Sequence, residues 1–167
     1  MNRTQKIILA IVALILCAAV ACAVVLIVNR TKFVPPESDA GAVDGVPSED
    51  LSDFSYQELH VTDGFDVALC ANPRIDGKSL DLYFTNASDN RALMLVIVSD
   101  ENGNELGRSG VMKPGQYVPS VELATSPQND TCLKVKIITY EPDTYYSLGT
   151  ASVKVYCNDG TPFPSAD

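Results

Sequence analysis

Residues Ile7 to Val28 form an unbroken apolar run with no charge, glycine or proline. At about 1.5 Å rise per residue the run is roughly 33 Å long as a helix, which matches the hydrocarbon core of a bilayer. A helix packed on a soluble core would carry a polar stripe, and this run has none. The sequence therefore predicts a transmembrane signal-anchor helix over 7–28, with the lipid bilayer as its partner and a short N-region over 1–6 left in the cytoplasm.

Flanking charge does not orient the helix. Arg3 and Lys6 precede it and Arg30 and Lys32 follow it, so the positive-inside rule gives a tie. The short basic start before an apolar stretch resembles a secretory signal, and cysteines in a small β-domain suit an oxidising compartment. Both favour an uncleaved, single-pass anchor with the C-terminal domain extracytoplasmic, at the cell membrane. Ala19-Val20-Ala21-Cys22 also fits a lenient lipobox, which would make Cys22 a lipidation site. Six further apolar residues follow Cys22, however, where a mature lipoprotein usually turns polar.

Beyond the anchor the composition changes. Residues 29–63 hold the acids Glu37, Asp39, Asp44, Glu49, Asp50, Asp53, Glu58 and Asp63, and after Lys32 no Lys or Arg. With Pro35, Pro36 and Pro47 interspersed, the stretch reads as a disordered, self-repelling linker. A net charge of −9 excludes nucleic acid as a natural partner, because phosphate contacts require clustered Lys and Arg.

From residue 64 to 158 the period of hydrophobicity becomes two. Phe65, Val67 and Leu69 alternate with polar or small residues, as do Leu80, Leu82 and Phe84. Ala92 to Val98 is continuously apolar, as for a central strand covered on both faces. Further strands are expected near 105–109, 117–123, 132–140 and 150–157. Seven strands at this spacing predict an all-β antiparallel sandwich of immunoglobulin-like type. Asn102-Gly103 suits a type I′ hairpin, and Lys113-Pro114-Gly115-Gln116 a type II turn. Residues 159–167 read as a disordered tail.

The cysteines allow two pairings. Cys132 and Cys157 lie at the open end of the last hairpin, equidistant in sequence from its loop, although their alternation puts them on opposite faces. Cys70 with Cys132, both facing outward, is the alternative. Either leaves one thiol unpaired.

Chemistry-bearing motifs are sparse. His60 is the only histidine, so neither a Ser-His-Asp triad nor a multi-histidine metal site is available. The run Asp100–Glu105 resembles a calcium loop, but its glycine sits two residues early. No catalytic residue, metal ligand or cofactor is assigned, and the chain is not expected to be an enzyme. The loop carrying Tyr140, Tyr145 and Tyr146 is the candidate partner-binding feature, since tyrosine offers area and a polar tip at low entropic cost. The competing expectation is a corner in which these rings pack beneath the loop. Asn86-Ala87-Ser88 and Asn129-Asp130-Thr131 are glycosylation sequons by pattern.

Asp100–Leu123 (DENGNELGRSGVMKPGQYVPSVEL) followed by Tyr140–Gly149 (YEPDTYYSLG) resembles a group of uncharacterised membrane-anchored or secreted immunoglobulin-like β-sandwich proteins of Gram-positive, Firmicutes-type gut bacteria. The resemblance spans roughly Phe65 to Val155. It implies a bacterial cell-surface domain and carries over no activity or site residue; the cysteines depart from its pattern. The function expected is a non-catalytic module binding a protein or glycan at the cell surface. The alternative is an accessory subunit of a cell-envelope assembly held by its transmembrane helix.

Overall fold

The computed structural model describes residues 2, 3, 5, 11–13, 15–21, 34–61 and 64–158. The chain divides into two compact units, Met1–Pro35 and Pro36–Asp167. In the first, residues 11–13 and 15–21 are helical with exposed side chains. The rest of the 7–28 run, with Cys22, lies outside the described residues. Among those described, no helix is long and apolar enough to cross a membrane.

The second unit is all-β. Its strands are β1 (Val43–Asp44), β2 (Tyr56–Val61), β3 (Phe65–Cys70), β4 (Arg74–Asp76), β5 (Ser79–Asp81) and β6 (Phe84–Asn86). There follow β7 (Leu93–Ser99), β8 (Glu105–Arg108), β9 (Gln116–Val118), β10 (Val121–Glu122), β11 (Cys132–Tyr140) and β12 (Ser147–Tyr156). They pair antiparallel in a five-stranded sheet ordered β1-β9-β6-β3-β2, a four-stranded sheet ordered β12-β11-β7-β8, and a small sheet ordered β10-β5-β4.

Alternation builds one core between the two larger sheets. Val67, Leu69, Phe84 and Val118 from the first meet Met94, Val96, Val98, Leu133, Val135, Ile137 and Val155 from the second. Each such side chain contributes about 1.5–3 kcal/mol through removal from water. The continuous apolar run of β7 is explained by its two faces. Met94, Val96 and Val98 join this core, while Leu93 and Leu95 join a second cluster on the opposite side.

Three expectations are corrected. The first is the strand count, twelve short strands among the described residues where seven were expected. The stretches near 80–85 and 117–123 each break in two at a shared corner. Tyr83 takes φ +48, and its amide donates to the Pro119 carbonyl at 2.9 Å. On one side of this corner β5 pairs with β10, and on the other β6 pairs with β9, so the two chains change sheet together.

The second correction concerns the acidic linker. Its described residues 36–61 are built into the domain. β2 pairs with β3 over six residue pairs and β1 pairs with β9. Average composition hid four apolar residues. Ala42, Leu59 and Val61 pack against the core and Leu51 is buried, while the described carboxylates other than half-buried Asp39 stay outside. Residues 37–39 run beside Val111: its amide donates to the Glu37 carbonyl at 2.8 Å, and the Asp39 amide donates to the Val111 carbonyl at 2.9 Å. The chain passes so closely that a β-carbon on Gly110 would lie 2.5 Å from the Asp39 backbone.

The third is the 100–104 hairpin. A type I′ turn needs positive φ at both Asn102 and Gly103, and only Gly103 has it, at +86. The Gly103 amide donates to the Asp100 carbonyl at 3.1 Å, and the Asp100 amide donates to the Asn104 carbonyl at 3.0 Å. This is a type I turn followed by a left-handed glycine, and it shifts the register between Val98 and Ser99.

A buried amide network fixes the β6–β7 connection. Asn86 is fully buried and donates to the Ala92 carbonyl at 3.0 Å. Asn90 donates to the Asp66 carbonyl at 2.6 Å and to Asn86 Oδ1 at 2.8 Å, and accepts from the Asp66 amide at 3.0 Å. The sequon asparagine at 86 is therefore no glycan acceptor in the folded chain.

Candidate interaction surface

The outward face of the four-stranded sheet holds the most distinctive surface. Register aligns Leu95 with Ile138 and Ile138 with Thr150. One step along, Ile97 aligns with Lys136 and Lys136 with Ser152; two further on, Ser99 aligns with Lys134 and Lys134 with Lys154. One half of the face is thus apolar, with Leu93, Leu95 and Val111 buried and Ile97, Ile138, Tyr140 and Tyr145 partly covered. The other half is basic, with Lys134, Lys136 and Lys154 and no carboxylate in either strand. An open depression of about 450 Å³ adjoins the basic half, bounded by Asp100, Glu101, Cys132, Lys134 and Lys154.

The tyrosine loop closes the apolar end. Tyr140 and Tyr145 pack on the apolar cluster, as a corner requires. The Tyr145 amide donates to the Glu141 carbonyl, and the Glu141 amide to the Tyr146 carbonyl, both at 2.9 Å. Tyr145 sits at φ +56, a left-handed conformation uncommon for a non-glycine residue. The Thr144 hydroxyl bonds the Glu141 carboxylate, tightening the loop further. Only Tyr146 projects freely, at 74% exposure. Of the three tyrosines, therefore, two are structural and one faces outward.

Among the described residues the cysteines are not paired. Cys17, Cys70, Cys132 and Cys157 are all free thiols. The equidistance argument fails because the ladder register sets Cys132 opposite Tyr156, not Cys157. Cys157 then joins the core while Cys132 stays half-buried on the outer face, so the two thiols point to opposite sides of the sheet. Burial pushes the Cys70 thiol up to about 12, with the Asp81 carboxylate adding to it. Burial likewise pushes Cys157 up to about 11. Neither is a nucleophile at neutral pH. Cys70 is fully buried rather than outward-facing, with Tyr56 opposite it in the ladder, so the expected outward pairing with half-buried Cys132 is not formed either.

The remaining features carry little chemistry. His60 Nδ1 lies 2.6 Å from Asp66 Oδ1, an exposed cross-strand pair on the other sheet. An open depression of about 300 Å³ beside it is lined by Tyr56, Glu58, Asp66, Thr85 and Asp89, and Tyr56 shares a hydrogen bond with Thr85 at 2.8 Å. Among the described residues no group of His, Cys, Asp and Glu is arranged to hold a metal ion. Their buried side-chain polar atoms all have partners, so none is left aimed at a ligand.

The lysine cluster was not anticipated from the sequence. Its signal was present as the alternation of Lys134 and Lys136 against inward Leu133, Val135 and Ile137, but its third member depends on the hairpin register. No protein-family description and no curated protein matches the chain.

Proposed function

We propose that the chain is a membrane-anchored, extracytoplasmic module that binds a protein or glycan partner and performs no catalysis. The observation that carries this is the outward face of the β12-β11-β7-β8 sheet, half apolar and half basic, with Tyr146 standing at its rim. A sheet face in a strongly acidic chain that sets exposed lysines beside the partly covered Ile97, Ile138 and Tyr140 is suited to recognition. The bilayer is met by the 7–28 run, whose length and uniform apolarity support a single pass.

The sheet order β12-β11-β7-β8 supports an immunoglobulin-like kinship, since the last two strands lie in order, β12 outside β11, on one side of the strand that follows the crossing from the other sheet. One feature departs from that plan. The neighbour of β3 is β6, which precedes β7 in the chain, where the immunoglobulin plan uses a strand from the later half.

Residues 36–158 can be tested for ligands directly. Immobilised, this fragment is to be screened against surface glycans and cell-envelope proteins, alongside its Tyr146→Ala variant. Saturable binding that weakens severalfold in the variant is expected, as for an exposed aromatic contact. Protease added to intact cells is to degrade the domain while sparing residues 1–6. A protected domain, or a folded fragment with no ligand, would overturn the proposal. If binding requires Ile7–Val28, the chain is instead an envelope-assembly subunit.

A further inference from the structure

β12 is the outer strand of its sheet and ten residues long. Its free side can be read from two hydrogen bonds. The Cys157 amide donates inward to the Thr131 carbonyl at 3.1 Å, whereas the Tyr156 amide donates outward to the Ala71 carbonyl at 2.9 Å. With the period of an antiparallel ladder, Thr150, Ser152 and Lys154 therefore direct their backbone N–H and C=O away from β11. None of these groups has a partner among the described residues.

The open stretch is bounded at both ends. Ala71 occupies the edge at Tyr156, and the register shift at Thr139/Tyr140 disturbs it before Gly149. Between these limits β12 carries neither proline nor bulge, and Lys154 is its one charged side chain. It is a slot for a short extended segment.

The side chains beside the slot select the segment's charge. Lys154 stands directly opposite Lys134, a like-charge pair that costs free energy in isolation. Lys136 is one step further along the same face. No ion pair reaches these lysines among the described residues. Two carboxylates share the adjoining depression with Lys134 and Lys154: Asp100 is engaged by the Asn104 amide and side chain, both at 2.8 Å, and Glu101 forms no ion pair among the described residues.

We propose that β12 receives an extended acidic peptide segment as an added strand. The segment's main chain pairs with Thr150, Ser152 and Lys154, and its carboxylates meet Lys154 and Lys134. This rests on the binding-module reading and names the partner's chemistry. A second copy of the chain is a poor occupant, because its own β12 brings lysine and no carboxylate to the ladder.

The test uses the full chain in detergent micelles and three labelled synthetic peptides: alternating Glu/Thr, alternating Lys/Thr, and the Glu/Thr peptide with a methylated backbone. Only the first is expected to bind, with affinity that falls as salt is raised. Ser152→Pro removes an outward donor and no bond to β11, so an edge strand tolerates it. It should weaken the Glu/Thr peptide roughly tenfold with the melting curve retained. Should that variant unfold, Lys154→Gln remains, and should weaken binding severalfold and flatten the salt dependence. Equal binding of the Glu/Thr and Lys/Thr peptides overturns the proposal, as does undiminished binding to folded Ser152→Pro. A dimer abolished by Ser152→Pro would assign the edge to a second copy and overturn it as well. Failure of the peptides while a Tyr146-dependent ligand still binds would leave the module reading standing without this one.

Discussion

The Asp39 carboxylate accepts a hydrogen bond from the Gly110 amide at 2.6 Å, joining positions 71 residues apart in the chain. The contact ties the acidic stretch to the sandwich. A charge-assisted bond of this kind contributes about 1.5–3 kcal/mol. Asp39→Ala should lower the stability of the 36–158 fragment by that amount in denaturant titrations, with an unchanged slope. A loss below about 0.5 kcal/mol would show the tie to be incidental.

The same region sets where the domain begins. A fragment starting at Phe65 lacks β2 and the strand beside Val111, leaving β3 as a raw edge and one side of the core open. It should aggregate or show molten behaviour, whereas 36–158 should unfold cooperatively. Gly110→Ala is the finer test. Its added methyl meets backbone rather than a yielding side chain, so a cost of about 1–3 kcal/mol is expected.

Asn86→Ala removes the centre of the buried amide network and strands the Asn90 amide and the Ala92 carbonyl. Leaving such groups unpaired costs about 1–3 kcal/mol each, so a large drop in melting temperature should follow. Expression in a glycosylating host should leave Asn86 unmodified, which intact mass would report.

Raised thiol pKa values make stability depend on alkaline pH. Below the ordinary thiol value of 9.0, folded and unfolded chains both keep Cys70 and Cys157 protonated. As pH rises past 9, the unfolded chain ionises while the folded chain holds its protons to about 11 and 12. The folded state then binds more protons, and stability falls with rising pH through that window. Under reducing conditions, melts at increasing pH should show this fall, with a shallower slope in Cys157→Ala. An identical slope in the variant would contradict the assignment.

Much of the fold was legible. Period-two patterning located β3 and β11 to the residue, because an inward side chain every second position is the only way a strand buries one face. The Lys113–Gln116 turn followed from its residue types, with Gly115 at φ +76. The split of 80–85 and 117–123 was not legible, since Leu80, Leu82 and Phe84 keep their alternation across the kink at Tyr83. The acidic stretch was misjudged because composition averages over a segment, whereas burial is decided residue by residue at Leu51, Leu59 and Val61.

Local pattern alone determined that this chain has an apolar run of membrane-spanning length and a β-rich domain after it. These are properties of short stretches, set by hydrophobic period and by which residue types are present. The tertiary structure decided what depends on register and on pairs distant in the chain. It separated Cys132 from Cys157 to opposite faces, drew Asp39 onto Gly110, and aligned Lys134 with Lys154 beside an open edge. A shift of one residue in a ladder reverses every face, and no local signal carries that information.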